Sequence, residues 1–473
     1  MLHRSFVAAM SLAIACMVGG PSSSRNFIIS NAATQNVQCS NGVCSPHGKK
    51  PTLNVSDLES LLASGDVQVT NPGRYGLNGN IVVKARLKWS APTTLTLRAG
   101  ASVFVDQPIV ASGLAGLVIF DYSSALHFGR KRRVTFSNLS SNLTIGSISY
   151  SLVGTLPSLA EAITANPSGN FALANSYDAS ADGIYGASPI PTNFLGRLEG
   201  LGNSFKNISV NDSTDCCVGG LFLSLSEARI SDLHLKNIVV NSTGGAAGLA
   251  YESFAQIANS GITGTITVGG NGDTGGLVSD NYGDIFDTHS TVTIVTGASV
   301  GNVNVGGLVG VNLGEIDEAF ARGNLNSGDG SGSVGGLVGL QQGGSVYQSY
   351  ADGSVTVGRG MKIGGLVGWN AYDSGGGSGV GQSYSIGAVS GGSGSIVGGL
   401  LGENEGNVSY SYFDTTTSGT SVGVALGNAS GVTGLTTQQL QSGLPAGFEQ
   451  GVWAEKSNIN NGLPYLVYNP PPK

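Results

Sequence analysis

Aliphatic residues return along the second half of this chain at fixed offsets. A first column, Leu221, Leu249, Leu277, Leu308, Leu337, Leu366 and Leu400, closes six Gly-Gly-Leu steps and one degenerate Ala247-Gly248-Leu249, roughly 30 residues apart. Eight or nine residues further on stands Ile230, Ile257, Ile285, Ile316, Val346 or Val408. After Leu366 the counterpart, Val380, comes only 14 residues later, because residues 374–378 form a Gly/Ser insertion that reads as a bulging loop. Four residues on come His234, His289, Phe320, Tyr350, Tyr384 and Tyr412, and five beyond those a third aliphatic column, Val239, Ile266, Ile294, Leu325, Val355 and Val389. Three short strands per period, without a helical stretch, exclude a β-α horseshoe. They predict an all-β chain wound as a right-handed parallel β-helix, each coil burying its apolar face only against its neighbours. Glycine suits the bends through positive φ, and paired glycines let a neighbouring strand pass closely.

The pattern divides the rest of the chain. Residues 16–51 read as a polar leader with little structure. Within 52–130, a capping-box pair, Ser56 and Glu59, predicts a short helix with Leu58, Leu61 and Leu62 on one face. Alternating segments at 67–69, 81–83, 95–97, 103–105 and 117–119, separated by Gly, Pro and Asn, predict strands. Within 131–215, Ser158 and Glu161 predict a second helix over 158–163, followed by strands at 171–173, 194–198 and 205–210. The repeats occupy 216–415. The ends of a solenoid are open edges, so caps are expected: the N-terminal region over one, and 416–473, with Leu435, Leu440, Phe448, Val452, Trp453 and Leu463-Pro464-Tyr465-Leu466, over the other.

Composition sharpens this picture. Glycine supplies 76 of 473 residues and charged residues only 11%, yet 40% are hydrophobic, more than a disordered chain carries. The net charge of −7 argues against a nucleic-acid partner, which needs clustered cations. The one basic cluster, Arg130-Lys131-Arg132-Arg133, reads as a solvated turn, with a polyanion contact or protease-sensitive joint as the sharper alternative.

Residues 1–15 read as a secretory signal: His3 and Arg4 precede an apolar stretch from Phe6 to Met17, and Ala13-Ile14-Ala15 offers a small-x-small cleavage site. Cys16, directly after it, opens a lipoprotein reading. The apolar stretch is too short for a bilayer span, and no other segment is long enough. Cys39 and Cys44 enclose Ser-Asn-Gly-Val, a loop that suits a small disulfide. Adjacent Cys216 and Cys217 fit free thiols or pairing elsewhere. Zinc on all four would lack the usual C-x₂-C spacing.

The repeats resemble the GLUG family of bacterial surface and secreted proteins: residues 305–325 read VGGLVGVNLGEIDEAFARGNL and 334–355 read VGGLVGLQQGGSVYQSYADGSV. The match decays around Leu221 and Leu249. Residues 53–120 resemble the strand-rich N-terminal part of filamentous-haemagglutinin-like exoproteins, and the Trp453 to Leu466 ending is similar to segments that close GLUG arrays. The resemblance implies an exported bacterial adhesin, secreted or at the cell surface, whose partners are host or cell-surface glycans or proteins, or matrix polysaccharide. It also implies an outer-membrane transporter. Asn71-Pro72-Gly73 stands where such exoproteins carry an Asn-Pro-Asn signature.

No catalytic, cofactor or metal residues are proposed. None of His3, His47, His127, His234 and His289 belongs to an H-E-x-x-H pair, and Gly332-Ser333 and Gly394-Ser395 sit in glycine-serine runs rather than a nucleophile elbow. The best acidic clusters, Asp280/Asp284/Asp287 and Glu315/Asp317/Glu318, read as a solvated face, with an acidic patch or weak calcium site as alternatives. His234 and His289 are expected to stack with Phe320 and the tyrosines rather than bind metal. Tyr350, Tyr384 and Tyr412 would otherwise form an exposed ladder for sugar rings. The expected function is non-catalytic binding or display. The alternatives are a β-helical polysaccharide lyase or hydrolase, and a structural autoaggregation scaffold.

Overall fold

In the computed structural model the N–H of Leu308 donates to the carbonyl of Leu337 at 2.9 Å, and that of Leu337 to Leu366 at 2.8 Å. The same bond runs from Leu221 through Leu249 and Leu277 to Leu308, and from Leu366 to Leu400, and all seven leucines are buried. The first column is therefore a stack. The described residues are 26–72, 79–120, 126–128, 132–214, 217–269, 271–299, 301–372 and 378–472. The signal segment, Cys16, Arg130, Lys131, Cys216 and most of the insertion lie outside them, as does the His127 side chain.

Stacked parallel coils form a β-solenoid of about 13 turns. Register in the second column runs from Ile230 through Ile257, Ile285, Ile316, Val346 and Val380 to Val408, so the insertion before Val380 leaves the pairing intact. Each such rung removes a Leu, Ile or Val side chain from water, worth roughly 1.5–3 kcal/mol, while backbone bonds to the next coil satisfy the polar groups beside it.

The third column differs from the expected one at its first position. Ile266 pairs with Val240, and Val239, 37% exposed, points outward. An irregularity between Leu235 and Ile238, where Asn237 takes φ 56°, inserts one residue and shifts the inward parity.

Glycine plays both expected roles, but at different places: Gly343 and Gly360 take φ of 83° and 85° at bends, and the paired glycines of the Gly-Gly-Leu steps serve close approach. None of the paired glycines has positive φ. A Cβ on Gly335 would overlap the carbonyl oxygen of Val338, and one on Gly336 that of Gly365 in the next coil. The left-handed bend sits instead on non-glycine residues, one per coil, before the aromatic column: Asp232, Asn259, Asp287, Glu318, Gln348, Gln382 and Tyr410.

Two interior cores share the rod, one spanning Phe27 to Leu201 and the other Val153 to Val424. They meet at an antiparallel hairpin of Asn142–Ile145 and Ile148–Val153, where the stack reverses strand direction. Helix α1 (Val55–Ser64) is capped by Asn54, whose side chain accepts from Ser56, rather than by the Ser56/Glu59 pair. Glu59 Oε1 instead accepts from the N–H of Lys88 on the strand Leu87–Trp89, while Leu58 and Leu62 enter the N-terminal core. Helix α2 (Leu156–Ala165) is longer than expected at both ends, because Thr155 is the N-cap and Ser158 closes the capping box as its third residue.

The leader is more ordered than its polarity suggested. Phe27 and Ile29 are fully buried in a strand, Asn26–Ser30, set between Thr52–Asn54 and Asn80–Val83. Val37–Ser40 and Val43–Pro46 form an antiparallel hairpin closed by a Cys39–Cys44 disulfide. At the far end, Val424–Gly427 and Val432–Leu435 add strands to the last coil. From there the chain does not lie across the end. It turns back and runs along the flank of the rod over the aromatic column.

Candidate binding surface

The aromatic column lies outside the interior core, in a cluster of its own with Leu440, Phe448, Trp453, Leu463 and Leu466 of the returning segment. His289 stacks on Phe320 at 4.9 Å, Phe320 on Tyr350 at 4.9 Å, and Tyr350 on Tyr384 at 5.1 Å. His234 stands 6.4 Å from His289 and is tilted by 42°. Burial, followed by the charge of His289, pushes the His234 imidazole down to about 3. The expected stacking is thus present, but the exposed sugar ladder is not. Tyr350 and Tyr384 are fully buried under the returning segment, a strap that accepts two phenolic hydrogens: Tyr384 Oη donates to the Pro464 carbonyl and Tyr412 Oη to that of Ala446. Asn469 of the strap meets Nδ1 of His289 at 3.1 Å and donates to the carbonyls of Thr288 and Glu318.

The two acidic clusters do not converge as their spacing suggested. Asp280 aligns with Glu252 of the preceding coil, Asp284 aligns with Glu315 of the following one, and Asp287 occupies a left-handed bend. Interactions run between coils, as between Asp287 and Glu318, as well as within one, where the N–H of Glu318 donates to Asp317 Oδ1 at 3.0 Å. Burial, with Asp317 second, raises Asp287 to about 7, and burial with Asp287 raises Glu318 to about 8. Burial lifts Asp317 to about 6, and burial with Asp273 and Glu252 lifts Asp280 to about 7. Partly protonated, half-buried carboxyls make poor calcium ligands. Among the described residues no group of three His, Cys, Asp or Glu side chains could hold a metal ion. In the basic cluster, Arg132 is tied to Asp106 at 2.7 Å. No helix of the described residues is long and apolar enough to cross a membrane.

Two features escaped the sequence reading. Asn281, Asn312 and Gln341 form a buried amide ladder, in which Asn281 donates to Asn312 Oδ1 at 2.7 Å and Asn312 to Gln341 Oε1 at 2.8 Å, and Asn370 donates likewise to Asn404 at 2.7 Å. The recurrent Asn of the Asn-x-Gly step was the available signal. The second is an exposed aromatic pair one position further along: Phe254 and Tyr282, 46% and 41% exposed, stack at 4.4 Å and 9°. Ser226 precedes Phe254 in this outward column.

Comparison with known proteins agrees with the repeat. A family model described as "The GLUG motif" matches residues 330–356. The expected GLUG motif is thus present over that coil. No curated protein matches the chain. Among solved structures, an "IgA1 Protease" chain is similar at 22% identity and a TM-score of 0.45, over 60% of this chain and 24% of that one. The matched region thus spans about a quarter of that protein's length.

Proposed function

We propose that this chain is an exported, adhesin-like binding protein of bacteria, akin to the filamentous-haemagglutinin-like exoproteins, acting outside the cell or at its surface through the flank of its solenoid. One observation carries the reading. Asp287 and Glu318 are half-buried and hold their protons to near neutrality, while the exposed flank offers a stacked aromatic pair on a rigid scaffold. A charge-poor surface rich in Asn, Ser and Thr suits contact with a glycan or another protein surface. A Cys39–Cys44 disulfide fits an oxidising compartment. Cells displaying the protein, compared with cells lacking it, should attach to host-cell or matrix-coated surfaces. Clumping without attachment would favour the autoaggregation scaffold instead.

The rival reading, a β-helical polysaccharide lyase or hydrolase, has one observation in its favour. Glu252 and Asp280 pair across adjacent coils, and Asp280 keeps its proton to near neutrality. Release of reducing ends from acidic polysaccharides, abolished by Asp280→Asn, would establish it.

A further inference from the structure

The column that carries Phe254 and Tyr282 is a ladder with a missing rung. Tyr282 covers one face of the Phe254 ring. The residue aligned with Phe254 in the preceding coil is Ser226, which carries no ring to cover the other face. One coil earlier still, Leu195 follows directly on the Phe194–Leu225 bridge and is 44% exposed. Leu195 and Phe254 therefore flank a notch two coil spacings wide, about 10 Å. That width admits one flat ring in van der Waals contact with both walls. Its floor is polar: Asn193 Nδ2 donates to Ser226 Oγ at 3.0 Å. Its surroundings carry both signs, with Glu227 exposed beside Ser226, Glu252 accepting from Ser224 Oγ, and the register partners Arg197 and Arg229 just beyond Leu195 and Ser226. Partial burial, followed by the charges of Asp280 and Glu252, raises the pKa of the Tyr282 hydroxyl.

We propose that this notch binds one residue of an uncharged glycan, a hexose or N-acetylhexosamine, stacked on the open face of Phe254. A pyranose presents a face of C–H groups that the negative aromatic face attracts, while its rim hydroxyls suit an amide, a hydroxyl and carboxylates. With Arg197 and Arg229 offset by Glu227 and Glu252, the rim has no net positive charge to hold a polyuronate or sulfated chain. The proposal rests on the binding function above and names its site and ligand class.

Affinity electrophoresis of the full chain through gels holding soluble β-glucan, mannan or polygalacturonate tests it, with chitooligosaccharides titrated by calorimetry. At least one uncharged glycan should bind and polygalacturonate should not. Phe254→Ala should weaken binding about tenfold and Phe254→Trp should preserve it. Ser226→Trp should fill the notch and abolish binding while leaving the circular dichroism and Tm near those of the parent chain. If no uncharged glycan binds, or if Phe254→Ala and Ser226→Trp leave binding unchanged, the notch is not a glycan site. Display cells that attach while the purified chain ignores every glycan would overturn this proposal alone. Loss of attachment would overturn the broader reading.

Discussion

Tyr384 donates its phenolic hydrogen to the carbonyl of Pro464 at 2.6 Å, across 80 residues of chain, and receives one from Asn460 Nδ2 at 3.0 Å. This contact pins the C-terminal strap to the flank of the solenoid. Trp453, packed 5.7 Å from the Tyr384 ring and 6.1 Å from that of Tyr350, supplies the apolar part of the same clasp. Trp453→Ala should cost about 3–5 kcal/mol and Tyr384→Phe about 1–2 kcal/mol, read from denaturant unfolding. Limited proteolysis should then cut residues 441–447 sooner in both variants. An unchanged cleavage rate would show that the strap is held elsewhere.

Close approach of backbones, rather than turn geometry, makes the paired glycines necessary. Gly336→Ala forces Cβ into the Gly365 carbonyl of the next coil and should cost at least about 2 kcal/mol. Gly379 has open space where its Cβ would go, so Gly379→Ala should lie within about 1 kcal/mol of the parent. Equal melting temperatures for the two variants would contradict the account.

The amide ladder couples coils through side chains. Asn312 receives a hydrogen bond from Asn281 and donates to Gln341 Oε1 and the Gly314 carbonyl. Asn312→Ala strands those partners in a buried site and should cost about 2–3 kcal/mol by urea unfolding. A loss below about 0.5 kcal/mol would mean that the ladder contributes little.

Much of this architecture was legible because Gly-Gly marks the register: once Leu308, Leu337 and Leu366 were aligned, the aliphatic columns downstream followed by counting. Counting failed where an irregularity changes parity, as at Asn237, so Val239 was taken for Val240. It also failed where contacts are remote. Nothing local to Tyr384 announces Pro464, and a ladder that looks exposed from its own coil is buried by a segment 80 residues away. Phe254 and Tyr282 were missed for a third reason: outward positions carry no periodic constraint, so two aromatics in one such column are visible only after the inward ones have been assigned. The acidic clusters are less solvated than expected because Asp287 and Glu318 sit half-buried beside each other on adjacent coils, a proximity that sequence spacing does not show.

Asp287 and Glu318 make stability depend on pH. Both hold their protons more tightly folded than unfolded, their values rising from 3.8 and 4.5 to about 7 and about 8. Folding therefore takes up protons between roughly pH 4 and 8, and stability falls as pH rises through that window. The same left-handed column carries amides at Gln348 and Gln382, joined at 3.0 Å. The double variant Asp287→Asn/Glu318→Gln should thus match the parent Tm near pH 4.5 and exceed it by ~2–4 °C at pH 8. Parallel Tm profiles would remove these carboxyls as the cause.

Coil stacking itself can be measured chemically. Thr356 and Ser390 are exposed register partners on adjacent coils, with their hydroxyls 3.4 Å apart. Parallel partners lie at a spacing that a disulfide spans. In a background with Cys216 and Cys217 replaced by Ser, Thr356→Cys/Ser390→Cys should form an intramolecular disulfide quantitatively on mild oxidation, as read by peptide mass mapping. Thr356→Cys/Val389→Cys, which places the second thiol on the inward face, should not. Cross-linking of the second pair, or of neither, would contradict the stacked solenoid.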